Sequence, residues 1–452
     1  MPRRNRSRRD ATKVLPQGSA AAPTDFRDAV VAESLPQPYT LVLIALLLCL
    51  GIALRCSNLD NVASRSPDER VYTRQANTIR LEGTAGLRRL TAEYLRDPAW
   101  HFYPPPTRAG FIRFLAAVMD LSGAANEDAG SYLSAASSIG SLLLLAWLGF
   151  RFFPAWATVF AVLFYAVSPA ELAMARRAWQ DCLIEFLGLA LAVIAAGIMR
   201  GSRRRIWYLV FVLIGSFGVT IKESWLLIYA LWALSVLWIT LVVHKDWKSA
   251  LLLVGTGLAG FAASAAWLAG QVGGFSTLLQ IVTQIPSANA ANAYAIGFQT
   301  GPDYLLLQAF WILAPVPALL CLPGLVAGLF PRWVPERLRQ APEGTLGGIV
   351  FWMALFVPVF LAFPFLLPHW LNLRYVSVLF PAVYLLAGVG FWLCASICWN
   401  WLSVSNRWLC AVLVLLLLAL GACSDYSRFQ RIFVHGNMTD LSVKMVVDST
   451  RP

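Results

Sequence analysis

The feature that most restricts this chain is a succession of apolar runs, each near twenty residues, that starts at Leu41 and recurs almost to Ala422. A bilayer core about 30 Å thick is crossed by about twenty apolar residues in helical form. Only a helix or a closed barrel satisfies every backbone group in lipid. Composition agrees: 58% of the 452 residues are hydrophobic, 13% are charged, and the mean hydropathy is +0.63. Soluble domains carry about 25% charged residues, so this chain lacks the polar surface to cover itself in water. The expected fold is an all-α polytopic membrane protein. The runs place about eleven spans, near 39–56, 131–150, 155–170, 181–199, 206–221, 224–243, 249–269, 305–329, 348–367, 374–398 and 408–422.

The net charge of +12 is concentrated where it orients the chain. Arg3, Arg4, Arg6, Arg8 and Arg9 crowd the N-terminus, and Arg200, Arg203, Arg204 and Arg205 fill one short loop. Basic short loops mark the cytoplasmic side. Starting inside, the loops near Arg151, 200–205, 245–248, 332–339 and Arg407 also fall inside, and all are basic. The outer side then takes 57–130, 170–180, 222–223, 270–304, 368–373 and the tail, so the C-terminus is expected outside. No basic face interleaved with aromatics is present, which argues against nucleic acid as a partner. The partner this composition demands is the lipid bilayer.

Three regions follow. Residues 1–36, rich in Arg, Ala and Pro, are expected to be a disordered cytoplasmic tail. Residues 37–422 form the transmembrane domain, with long outer loops at 57–130 and 270–304, and 423–452 form an outer C-terminal tail. The first apolar run lies too far from the N-terminus for a cleaved signal peptide. Eight cysteines show no zinc or redox spacing, and four scattered histidines do not suggest a His-rich metal site. No internal repeat of the transporter kind is visible.

Charged residues at the outer ends of the spans carry the chemical information. Ser66-Pro67-Asp68-Glu69 opens a helix: Ser66 can cap it, Pro67 suits the first turn, and Glu69 completes a capping box. Tyr72, Ala76 and Ile79 continue at helical spacing, and Gly83 is a natural stop. The helix is amphipathic and suited to the membrane surface. Asp68 and Glu69 have a structural explanation, since acidic residues meet the exposed N–H groups of a first turn. They also have a chemical one, a general base at the membrane border. Arg177, Asp181 and Glu185 are four apart, which allows an intrahelical ion pair or a face turned to a cavity. Lys222-Glu223 interrupts two nearly continuous apolar spans, either as a hairpin ion pair or as a cation for an anionic ligand. Arg374-Tyr375 opens the tenth span, and an arginine fork fits phosphate bidentately as well as it snorkels. His369 lies five residues earlier, with a ring suited to a proton or a metal. The polar loop 270–304 holds Tyr294, Gln299 and Tyr304, placed for a lid or support, or for an ordinary connection.

This order of motifs resembles the GT-C superfamily of membrane glycosyltransferases. Its relatives include the dolichyl-phosphate-mannose–protein mannosyltransferases and the bacterial aminoarabinose transferase of lipid A. The resemblance rests on Asp68-Glu69 with Tyr72 and Ala76, and on Tyr103-Pro104-Pro105-Pro106 before the second span. It continues through Ser168-Pro169 with Arg176 and Asp181, Thr220-Ile221-Lys222-Glu223-Ser224, Gln299 to Tyr304, and Arg374-Tyr375 with Pro381 and Gly388. Val378 stands where the family usually has an earlier proline, and residues 423–452 match none of its motifs.

The resemblance implies an inverting sugar transfer from a polyprenyl-phosphate donor to a lipid, glycan or protein hydroxyl. It places the active site on the periplasmic or extracellular side of the plasma (inner) membrane. It gives Asp68 the role of catalytic base and Lys222 and Arg374 the donor phosphate. Glu69 and Asp181 would take sugar, acceptor or a divalent cation; no other cofactor is implied. Two rivals stand beside it: a transporter or flippase for a lipid-linked glycan, which would carry charges in mid-helix, and a non-enzymatic scaffold, which needs no converging charges.

Overall fold

The computed structural model describes residues 38–57, 59, 62, 64–199, 205–291, 304–334, 349–366, 372–402 and 404–449. These residues are overwhelmingly helical: α1 (Pro38–Cys56), α2 (Pro67–Arg96), α3 (Ala109–Ser122), α4 (Glu127–Phe152), α5 (Ala155–Ala166), α6 (Pro169–Ala175), α7 (Asp181–Met199), α8 (Arg205–Val219), α9 (Trp225–Trp238), α10 (Trp247–Val272), α11 (Phe275–Ala291), α12 (Tyr304–Leu313), α13 (Pro315–Leu329), α14 (Ile349–Leu366), α15 (Phe380–Trp401), α16 (Val404–Phe429) and α17 (Val443–Asp448).

Among the described residues, seven helical stretches are long and apolar enough to cross a membrane, or nine if each of two bent pairs counts as one span. The chain is a multi-pass membrane protein. Among the described residues every apolar run read from the sequence contains helix, but not every run is a full straight span. Proline explains both bends. Pro169 has no N–H to continue α5, so the chain turns 53° into α6, with the Ser168 hydroxyl accepting from Glu171 N. Pro315 does the same between α12 and α13, where the bend is 115°. Arg205–Val219 and the apolar stretch Val350–Ala362 of α14 are shorter than a straight crossing.

α4, α7 and α15 form the interior of the bundle, and their side chains are buried on most sides. α1, α9, α10 and α16 are largely exposed, with leucines such as Leu258 and Leu417 facing outward. In lipid that exposure is free of the penalty it carries in water. α13 and α15 approach closely through small residues: a Cβ on Gly324 would lie 1.9 Å from Leu386 O.

Three boundaries differ from the expectations. Gly83 (φ 63°, ψ −141°) kinks α2 rather than ending it, and helix continues to Arg96. The left-handed φ that glycine tolerates allows a break with immediate restart. α11 occupies the start of the expected polar loop 270–304, and α16 runs to Phe429, past the expected end at 422. At one end of the bundle the first turn of α2, the start of α7, the α8–α9 turn, the 3-10 segment Leu373–Leu379 before α15, and the residues after α16 converge.

Candidate active site

Asp68 sits in the first turn of α2 with about a quarter of its side chain exposed. Its Oδ2 accepts from Arg374 Nη2 at 2.8 Å. Arg374 arrives 306 residues later in sequence, on the segment Leu373–Leu379. Asn372 caps that segment, its Oδ1 accepting from Arg374 N at 3.1 Å. The guanidinium lies over two rings, 5.0 Å from the centre of Trp179 and 5.4 Å from that of Tyr375. Trp179 is buried and donates to Ser66 Oγ at 3.2 Å, so the residue that caps α2 also fixes the ring under Arg374.

Asp181 opens α7, and its Oδ1 accepts from Lys222 Nζ at 2.5 Å. Its other oxygen, Oδ2, is buried without a hydrogen-bond partner. Lys222 Nζ also sits 4.9 Å from the centre of the Tyr375 ring. A chain of contacts therefore links Asp68, Arg374, Tyr375, Lys222 and Asp181, with no step longer than 5.4 Å. Two ion pairs flank one aromatic ring. Burial lowers the Lys222 ammonium below its ordinary value against the pull of Asp181, and Arg108 and Arg374 lower it further.

Arg108 holds the turn that presents Lys222. Its Nη2 donates to Glu223 Oε2 at 2.9 Å and its Nη1 to Tyr72 Oη at 2.6 Å. Burial raises the Glu223 carboxyl, but the forked Arg108 contact outweighs it and leaves Glu223 below its usual range. Gly110 N donates to Thr220 O at 2.9 Å. A Cβ on Gly110 would come within 2.1 Å of Thr220 Oγ1, so only glycine lets α3 seat this turn.

Glu69 is fully buried and saturated. Oε1 accepts from Ser66 N (2.8 Å) and Arg177 Nη1 (3.2 Å), and Oε2 from Arg65 Nη1 (3.1 Å) and Ala178 N (3.0 Å). It ties the start of α2 to the segment before α7. The expected sharing of one face by Arg177, Asp181 and Glu185 gives no intrahelical ion pair. α7 starts only at Asp181, Arg177 turns to Glu69, Asp181 takes Lys222, and Glu185 accepts from Tyr165 Oη. Lys222 and Glu223 likewise pair outward, with Asp181 and Arg108, and not with each other.

The structure thus brings together Asp68, Asp181, Lys222, Arg374 and Tyr375, with Glu69 beneath them. Tyr304 begins α12. Tyr294, Gln299 and His369 lie outside the described residues. Among the described residues, no group of three His, Cys, Asp or Glu is placed to hold a metal ion. Arg108, Trp179 and Asp440 are members of this region that sequence reading missed. Arg108 lies two residues after the Pro104-Pro105-Pro106 stretch, which was the available signal.

No protein-family model matches the chain, and no curated protein matches it. In structure it is similar to the archaeal oligosaccharyltransferase AglB from Archaeoglobus fulgidus in complex with an inhibitory peptide and a dolichol-phosphate. That match has 12% identity and a TM-score of 0.55, over 87% of this chain and 55% of that one. The apo form of the A. fulgidus oligosaccharyltransferase matches at 14% identity and TM-score 0.56, over 90% and 56%. The chain shares the fold of these two structures. It spans just over half the length of those oligosaccharyltransferase chains. ArnT from Cupriavidus metallidurans bound to undecaprenyl phosphate aligns at 15% identity and TM-score 0.49, over 91% of this chain and 77% of that one. A shared fold fixes the arrangement of helices; the chemistry has to be argued from the site.

Proposed function

We propose that this chain is a membrane glycosyltransferase that moves a sugar from a polyprenyl-phosphate donor to a hydroxyl acceptor, with inversion, at the outer face of the plasma membrane. The observation that carries the reading is the pair of carboxylate–cation contacts on either side of Tyr375, at the border of an apolar bundle. The fold, shared with a transferase whose structure holds a dolichol-phosphate, supports it.

Asp68 takes the proton from the acceptor hydroxyl as the acceptor oxygen bonds to the anomeric carbon. The bond from that carbon to the phosphate oxygen breaks, and the phosphate leaves with the bonding pair. A phosphate leaving group needs little acid assistance; it needs its growing charge stabilised, and Lys222 and Arg374 supply two cations for that purpose. Asp68 is held by Arg374. Donor phosphate arriving at Arg374 frees the carboxylate, so the base becomes available when there is something to attack. Asp181 holds Lys222 with one oxygen and offers the other to sugar hydroxyls. Glu69, already saturated by two arginines and two amides, serves by fixing the first turn of α2. Placement on the outer side follows from the basic short loops, which all fall on the opposite side.

The test is transfer by purified chain in lipid nanodiscs, using labelled polyprenyl-phosphate sugar. Asp68→Asn is expected to lower turnover roughly 100- to 10,000-fold, the span of a lost general base, while folding is unchanged. Full transfer by that variant would remove Asp68 as base. A transporter would instead keep the donor chemically intact in the wild type.

A further inference from the structure

The residues after α16 are built into the site. Asn372, which caps the Arg374 segment, forms an antiparallel bridge with Ser442, and Leu373 N donates to Leu441 O at 3.0 Å. Asn372 Nδ2 donates to Asp440 Oδ1 at 3.0 Å, and that oxygen also accepts Leu441 N at 2.8 Å. Asp440 Oδ1 is 3.8 Å from Arg374 Nε. The same stretch reaches the other side of the site, where Met438 O accepts from Arg177 Nη2 at 2.7 Å. Leu441, Val443, Val446 and Val447 are at most 1% exposed, and α17 packs on α12. Apolar side chains buried this fully anchor a segment; they do not belong to a frayed end.

Arg374 therefore meets two carboxylates, one in hydrogen-bond contact and one at ion-pair distance. Asp68 takes Nη2 and Asp440 faces Nε. Asp68 is a quarter exposed, whereas Asp440 is buried and held by Asn372 Nδ2 and Leu441 N, so Asp68 is the partner that gives way when a phosphate binds. Resting on the transferase reading above, we propose that Asp440 is a positioning residue for donor binding. It keeps the Arg374 guanidinium aimed at the phosphate after Asp68 has let go, and the C-terminal stretch 437–448 is a wall of the active site. The geometry explains the double use of Asn372, which ties the Arg374 backbone and the Asp440 carboxylate through one side chain.

The test is a binding cycle on full-length protein in nanodiscs, with a short-chain polyprenyl phosphate as probe and the matching polyprenyl alcohol as control. Asp440→Asn is expected to weaken phosphate binding roughly 10- to 100-fold, as a misaimed clamp does, and to leave alcohol binding unchanged. In an Arg374→Gln background the same change should cost nothing further, because the two act as one unit. Asp440→Glu, which keeps the charge but moves it, should fall between. If Asp440→Asn cannot be purified folded, Asp440→Glu takes its place in the cycle. Additive losses in the double variant, or equal loss of phosphate and alcohol binding, would overturn the proposal. Should the wild type itself bind phosphate no better than alcohol, the transferase reading falls, and Asp440's role with it.

Discussion

Arg55 and Arg374 are both buried, and they are partnered in opposite ways. Arg55 is fully enclosed, and its donors go to neutral oxygens: Ser138 Oγ (2.8 Å), Tyr165 O (3.0 Å), Ala166 O (3.1 Å) and Gly51 O (3.2 Å). One of those carbonyls, Tyr165 O, lacks its regular helical donor because Pro169 supplies no N–H. Arg55 thus fills the gap a proline opens in a helix, where lipid could not. Arg374 lies at the border of the bundle against two carboxylates and two ring faces. Its anionic partners can be exchanged for another anion, whereas the carbonyls around Arg55 cannot. A buried arginine is structural when the backbone satisfies it, and available for chemistry when carboxylates hold it.

The contrast can be broken by substituting each arginine. Arg374→Gln should reduce sugar transfer by roughly 100- to 1000-fold, the cost of losing one group that stabilises developing charge, with little change in thermal stability. Arg55→Met should do the reverse. It costs about 1–3 kcal/mol for each buried oxygen left without a donor, read as a lower melting temperature, while the folded fraction keeps its kcat/KM. Equal effects of the two changes on turnover would erase the distinction.

Pro169→Ala sharpens the comparison further. The restored N–H can serve Tyr165 O, so this change should recover part of the stability lost in Arg55→Met. Strictly additive melting shifts would show that Arg55 does not act by filling the helix break. The smallest expected effect concerns Lys222. Burial lowers its ammonium from the ordinary 10.5, so as pH rises it loses its proton before an exposed lysine would. Donor binding should therefore fall on the alkaline side below that value, and Lys222→Arg should move the fall upward. An alkaline limb that is the same in both would remove Lys222 from the phosphate.

Much of this was legible in the sequence, for identifiable reasons. Hydropathy located every helix that became a span or part of one, since lipid demands the same apolar length anywhere. It could not show that Pro169 and Pro315 bend two of them, or that Gly83 restarts a helix. Asp68, Asp181, Lys222 and Arg374 were visible as charges at the ends of apolar runs, where an ionisable group must find water or a partner. Their pairing was not visible, because Asp68 and Arg374 are 306 residues apart. Arg177 was expected to share a helical face with Asp181, but the helix begins after it and Glu69 takes it instead. Arg55 passed unremarked because its partners are mostly backbone carbonyls. Asp440 passed because its stretch carries no motif, only contacts that exist after folding.

The central claim is that donor phosphate displaces Asp68 from Arg374 and so frees the base. It is tested most directly by measuring donor binding and single-turnover transfer together on Asp68→Asn in nanodiscs. The account predicts that labelled polyprenyl-phosphate sugar binds at least as tightly as to wild type, because its competitor for Arg374 is weakened, while transfer is lost. Weaker binding with transfer intact would contradict it.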